Sequence, residues 1–201
     1  MFIALLGRQP EISIAELEAV FGLDNVCQIA DNFASVDSET FDIDRLGGSL
    51  KCAQIVDQIK STDNHQESLK KASELIVSRY YKQLEKSDGK VTLGLSAYNL
   101  DVSGRQVQKI GLILKSRLKK AGTSLRLIPN DQPDLSTATS HHNKLGRTER
   151  KIELMIVKTS DERLIIAESY GTQNITAYTL RDRHRPKRDA FVGMLPPKLA
   201  Q

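Results

Sequence analysis

Residues 2–22, FIALLGRQPEISIAELEAVFG, change their hydrophobic period part-way along. Phe2 to Gly7 is a continuous apolar run of the length of a buried strand. After it, Ile14, Leu17 and Phe21 recur at helical spacing, and Gly22 supplies a stop. Ser13 is expected to cap this helix, with Glu16 three residues on closing a capping box. A strand feeding a helix in this way opens an α+β or α/β arrangement.

Working outward, Val26 to Ala30 and Phe33 to Val36 read as two strands joined by the turn signal Asp31-Asn32. A short helix over Asp42 to Leu46 is expected to stop at Gly47-Gly48, and Leu50 to Ile59 reads as a fourth strand. The order β-α-β-β-α-β is the ferredoxin-like pattern. This unit, residues 1–62, carries no histidine and no glycine-rich phosphate loop. Its expected role is structural, a spacer.

The polar stretch Ser61 to His65 marks a boundary, and residues 63–175 are expected to form a second domain. Asn64 and Glu67 fit the cap of a helix whose stripe is Leu69, Ala72, Ile76 and Tyr80. Ser87-Asp88-Gly89 is a turn, and Val91 to Tyr98 alternates as a strand. Ser103 and Gln106 then form a second capping box, before an apolar face of Val107, Ile110, Gly111, Leu114, Leu118 and Ala121. Steps of about 100° per residue place Arg105, Lys109, Lys119 and Lys120 on the opposite side. From Arg105 to Arg126, Lys115 included, there are seven basic residues and no acidic one. A solvated face usually mixes signs, and an unmixed one repels itself unless a polyanion is expected.

After a short strand around Leu125 and Leu127, the chain breaks at Pro129-Asn130 and runs through Ser136-Thr137-Ala138-Thr139-Ser140 into His141-His142-Asn143-Lys144 and Gly146-Arg147. Such a concentration of hydrogen-bonding groups and positive charge reads as a loop offered to a phosphate backbone, lying beside the basic helix face. The alternative is an ordinary surface loop over a sheet edge. Ile152 to Val157 and Leu164 to Ser169 read as a hairpin whose second strand continues toward Tyr178. Residues 176–201 are read as a basic linker, with Arg181, Arg183, Arg185, Lys187 and Arg188 crowded together and a helix beginning in MLPPKLAQ. A helix that starts there implies a following domain.

Charge is segregated along the chain. Residues 1–68 hold 4 Lys/Arg against 12 Asp/Glu, a net of −8, and residues 69–201 hold 25 against 13, a net of +12. Such asymmetry points to an anionic partner for the second half. No apolar run has membrane-spanning length, the first residues lack the basic lead-in of a signal peptide, and a cytoplasmic protein without a membrane partner is expected. Cys27 and Cys52 form no C-x-x-C pair and are expected to be buried free thiols. His141 and His142, adjacent on an extended backbone, would point to opposite faces and could not share a metal. No nucleophile motif, phosphate loop or acid–base pair is present, so no catalytic, cofactor or metal residue is assigned.

Several segments together resemble the N-terminal half of the THUMP-containing tRNA guanine-N2 methyltransferases that modify guanine-10, and their bacterial RNA-methylase relatives. These are Gly7 to Ser13 with Ala15-Glu16-Leu17, Arg45 to Lys51, Leu125 to Pro129, the run from Leu135 to His142-Asn143-Lys144-Leu145, and Arg185-Pro186-Lys187-Arg188-Asp189 leading into Gly193 to Gln201. The resemblance implies a ferredoxin-like domain, a THUMP domain, and a linker toward a Rossmann-type methyltransferase domain that lies outside this chain. It implies that the THUMP unit grips the acceptor end of tRNA, and that S-adenosylmethionine belongs to the missing domain. The expected RNA contacts are Arg105, Lys109, Lys115, Lys119, Lys120, Arg126, His141, His142, Asn143, Lys144 and Arg147. With no aromatic residue in the loop to stack bases, recognition would rest on shape and charge. Two other readings stay open: a protein-interaction module with a basic docking face, and the targeting region of a DNA methylase.

Overall fold

The structure, a computed structural model, describes residues 1–87, 89–185 and 194–198. Its centre is one mixed eight-stranded sheet in the order β2-β3-β1-β4-β8-β7-β5-β6. The strands are β1 Phe2–Leu6, β2 Val26–Ala30, β3 Phe33–Val36, β4 Ser49–Lys60, β5 Val91–Tyr98, β6 Leu125–Leu127, β7 Lys151–Lys158 and β8 Arg163–Thr172. The helices are α1 Pro10–Phe21, α2 His65–Leu84, α3 Gly104–Lys120, α4 Thr137–His142 and α5 Ile175–Arg183.

The first four strands, ordered β2-β3-β1-β4 and all antiparallel, form the ferredoxin-like unit. Its second helix is reduced to the 3-10 turn Ile43–Arg45, where Asp42 accepts from the Asp44 amide at 3.1 Å. The first helix begins earlier than expected. Pro10 occupies its first turn, where a fixed φ and a missing N–H cost nothing, so Ser13 is not the cap. The Ser13 hydroxyl is buried and donates instead to Gly48 O at 3.0 Å, and Glu16 accepts from the Gly47 and Gly48 amides at 2.6 and 2.9 Å. Two small residues thus let α1 lie close against the turn before β4.

β4 joins this unit to the rest. It pairs antiparallel with β8 from Lys51↔Thr172 to Lys60↔Arg163, so residues 1–62 and 63–175 contribute to the same sheet. β5 runs parallel to both β6 and β7, and β7 and β8 form the expected hairpin. α2 and α3 cover one face. Leu69, Ala72, Ile76 and Tyr80 of α2 and Val107, Ile110, Leu114 and Leu118 of α3 are buried against Leu93, Leu95, Ile152, Leu154 and Ile166. Asn64 caps α2 through the Gln66 and Glu67 amides, and Ser103 and Gln106 form the expected reciprocal box at α3. Ala121, placed on the apolar face from sequence, is the exposed C-cap, because the helix ends one residue earlier.

The opposite face closes on itself. Phe33 of β3 meets Tyr98 of β5 edge-on at 5.0 Å, although β1, β4, β8 and β7 lie between them in the sheet. Asn99 Nδ2 donates to Asn32 Oδ1 at 3.2 Å, and the Ser160 amide to Ile29 O at 2.9 Å. Only a strongly curled sheet brings these ends together, a consequence of strand twist and of the bulges in β4.

Two further expectations change. β8 ends at Thr172 rather than running toward Tyr178, because Asn174 accepts from the Ala177 amide and starts α5. Tyr178 is buried, and its hydroxyl donates to Leu46 O at 3.1 Å. Cys52 is buried, and burial pushes its thiol pKa well up, but Cys27 is exposed on the edge strand β2. Lys187, Arg188 and the last three residues of the expected terminal helix lie outside the described residues. Among the described residues no helix is long and apolar enough to cross a membrane.

Candidate nucleic-acid interface

The connection from β6 to β7 is built on the exposed edge of β5 beyond the three-residue β6. Ile128 N donates to Leu93 O at 2.9 Å, Asn130 Nδ2 to Leu95 O at 2.8 Å, and Ala97 N to Pro133 O at 2.9 Å. This lining of the edge satisfies backbone groups that would otherwise invite another strand. The chain then crosses the sheet, with Ile128, Leu135 and Leu145 as a small buried cluster beneath it. Gly94 makes room for that cluster, since a Cβ there would come within 2.6 Å of Leu135 Cδ1.

The polar run expected as a loop is the short helix α4. Ser136 caps it, its Oγ accepting from the Thr139 amide at 3.1 Å. At the other end the Lys144 amide donates to His141 O and the Leu145 amide to Ser140 O, both at 3.0 Å, while Lys144 takes φ 57°. This pair of bonds is the Schellman ending, in which glycine is the usual left-handed residue. Here a lysine holds that position.

Beneath α4 lies an ion pair that sequence reading did not find. Lys51 of β4 and Glu153 of β7 are both fully buried, with Nζ 2.6 Å from Oε1. The ammonium also donates to Leu135 O at 2.6 Å and to the Tyr98 hydroxyl at 3.2 Å. Glu153 Oε1 accepts from Ser96 Oγ and Oε2 from Ser140 Oγ, each at 2.6 Å. The only sequence signal was a lysine interrupting the apolar start of β4, and nothing in the sequence paired it with a residue 102 positions away.

The helix α3 and the α4 segment were expected side by side, but the sheet separates them. Leu93 and Leu95 point toward α3, whereas Gly94 and Glu153 lie under Leu135, Leu145 and Ser140. Alternation therefore sorts the candidate residues into two groups. Arg105, Lys109, Lys115, Lys119 and Lys120 are exposed on α3, and none forms an ion pair among the described residues. Arg126, also exposed, belongs to the other face, because its neighbours Leu125 and Leu127 both pack toward α3. Arg126 and Lys151 are each registered against Thr92, so their side chains leave the same face two strand spacings apart, about 10 Å. Lys151 was missed, although its alternation with Glu153 in KIELMIVK would have placed it there.

On α4, His142 and Lys144 are exposed and His141 is partly covered, its Nε2 3.0 Å from Thr176 Oγ1 of α5. Partial burial, then the neighbouring His142 and Arg147, hold the His141 pKa below its ordinary value. Adjacent on a helix rather than a strand, the two rings sit edge-on at 5.6 Å. Asn143 donates to Thr139 O at 2.9 Å, a helix-ending contact. Arg147 is already engaged: its guanidinium forks onto Asp44 at 2.9 and 3.0 Å and donates to Thr172 O at 3.2 Å. That hydrogen-bonded carboxylate raises its pKa further. No group of three or more potential metal-ligating side chains occurs among the described residues.

No protein-family model matches the chain, and no curated protein matches it. Among solved structures it is similar to TrmN from Thermus thermophilus, with a TM-score of 0.53 and 10% identity over 99% of this chain and 52% of that one. Looser similarities link it to a 4-thiouridine synthetase seen in a complex with RNA and bound ATP (TM-score 0.42, 13% identity, 83% of this chain and 40% of that one) and to PH1313 from Pyrococcus horikoshii Ot3 (TM-score 0.45, 12% identity, 84% and 54%). The chain spans about half the length of the TrmN chain, and that likeness is one of fold.

Proposed function

We propose that this chain is the tRNA-binding, substrate-recognition region of an S-adenosylmethionine-dependent tRNA guanine-N2 methyltransferase. The catalytic domain and its cofactor lie outside these residues. The observation that carries the RNA reading is the survival of charge segregation in the folded chain. All seven basic residues from Arg105 to Arg126 are exposed, and none is neutralised by an ion pair among the described residues. The fold likeness to TrmN and the sequence motifs that resemble the methyltransferase family favour RNA as the polyanion.

In this reading the acceptor end of tRNA lies along the α4 face, where Arg126, Lys151, His142 and Lys144 receive phosphates. The stem then rounds the sheet edge at β6 toward Lys119 and Lys120. The edge is narrow there, because β6 is only three residues long. Phosphate contacts from the five cations Arg126, Lys144, Lys151, Lys119 and Lys120 would reduce affinity about 100- to 500-fold between roughly 50 and 200 mM salt by counterion release. A tRNA titration across that range tests it, with duplex DNA as the competitor. An affinity indifferent to salt removes the reading, and a preference for duplex DNA transfers it to DNA targeting. Reversing charge at Lys119 and Lys120 should weaken binding.

A second reading, docking of a protein partner on α3, is favoured by Leu112 and Ile113. They are 52% and 36% exposed on the same helix as the lysines, where a phosphate backbone gives apolar groups nothing to contact. Substituting both by serine distinguishes the two, since tRNA affinity should be unchanged.

A further inference from the structure

Lys51 has no accessible side-chain surface, yet its terminal nitrogen is paired with Glu153, and it comes from the ferredoxin-like unit rather than from the half that carries the basic residues. Its three ammonium protons are all used, by Glu153, Leu135 O and the Tyr98 hydroxyl. Buried pairs of this kind are poor sources of stability, because well-packed apolar residues often do as well, and fixing one local arrangement is an alternative reason to keep them. Here the arrangement is identifiable. Leu135 immediately precedes Ser136, the N-cap of α4, and Ser140, held by Glu153 Oε2, supplies the carbonyl that receives the Leu145 amide at the helix end. The pair therefore grips α4 at both ends. A six-residue helix has no stability of its own, so tertiary contacts must hold it.

We propose that Lys51 and Glu153 are positioning residues: through Leu135 and Ser140 they hold α4 and Lys144 in the conformation that receives phosphate. RNA binding by the second half of the chain then depends on a buried side chain from the first. The ferredoxin-like unit is more than a spacer, although Lys51 itself touches no RNA. This inference rests on the α4 face being an RNA contact.

Three variants of the full chain test it: Ser140→Ala, Glu153→Gln and Lys51→Met. Ser140→Ala removes the tether between α4 and Glu153, together with the longer bond from the same hydroxyl to Ser136 O at 3.3 Å. It should speed amide exchange at Thr139, Asn143, Lys144 and Leu145 about tenfold, the scale of one charge-assisted hydrogen bond, and leave Val107 to Leu118 of α3 unchanged. The slope of log tRNA affinity against log salt should also fall by about 0.7–0.9, as if one phosphate contact were lost, although the substitution removes no charge. General destabilisation would lower the active fraction and leave that slope alone. Lys51→Met should give the same two changes, and Glu153→Gln, which keeps the side-chain shape, serves if Lys51→Met fails to fold. Unchanged exchange in α4 overturns the proposal. So does faster exchange with the wild-type slope, which would also move the RNA contact away from α4. A wild-type chain that does not bind tRNA removes the proposed function itself, and this inference with it.

Discussion

Replacing Lys144 by glycine should make the protein more stable and a weaker RNA binder. Lys144 holds φ 57° at the end of α4, a conformation that costs an L-residue about 1–2 kcal/mol. Glycine relieves this cost but brings about 0.5–1 kcal/mol of extra chain entropy to the unfolded state, leaving a net gain near 0.5–1 kcal/mol. For a chain of this length that corresponds to a melting temperature higher by about 1–4 °C. The same change removes one exposed cation. If Lys144 meets a phosphate, the salt slope falls by about 0.7–0.9, which lowers affinity about five- to eightfold at ~0.1 M salt relative to ~1 M. Thermal melts and tRNA titrations on one preparation give both quantities. A lower melting temperature would refute the account of backbone strain. Unchanged affinity and slope would show that a lysine occupies the left-handed position for some reason other than RNA.

Asp44→Asn frees the Arg147 guanidinium from its carboxylate fork and should raise tRNA affinity and steepen its salt dependence, at a stability cost below about 1 kcal/mol because the pair is substantially exposed. Titration of the variant checks this, and weaker binding would count against Arg147 as a latent phosphate ligand. His141, whose pKa is held below its ordinary value, binds fewer protons in the folded chain than in the unfolded one. Its contribution to stability is therefore present above the unfolded pKa near 6.5 and lost as pH falls through the folded value. Ring NMR should show the low pKa in the free protein and a rise on adding tRNA, since a nearby phosphate favours the charged form. Leu114→Ala, in the fully buried face of α3, should cost about 2–5 kcal/mol and be seen in denaturant unfolding, with little change in the salt slope of the remaining folded protein.

The elements legible in the sequence were those specified by neighbours in the chain. Asn64 before α2, Ser103 with Gln106 at α3, and the Asp31-Asn32 turn between β2 and β3 all stand beside the residues they organise. The helical stripes of α2 and α3 were readable for the same reason. Pro10 was overlooked as a helix start because Ser13 offered a competing cap, and its hydroxyl proved to be needed by Gly48. α4 escaped notice because its hold comes from residues outside any helical repeat, Leu135, Leu145 and Glu153. The candidate residues were read as one largely basic set, and their division between two faces follows from the strand alternation of Leu125-Arg126-Leu127, which is a property of the sheet.

The pairing of β4 with β8 also has a kinetic consequence. As the chain emerges from a ribosome, β4 is complete long before its partner exists, since Lys60 must wait for Arg163. At roughly 5–20 residues per second the gap of about 100 residues lasts about 5–20 s. Throughout that interval the nascent first unit shows an open edge twelve residues long to whatever passes, including the same edge on a neighbouring polysome chain. Faster translation of the intervening segment, or a chaperone covering that edge, should improve the yield of correctly closed protein.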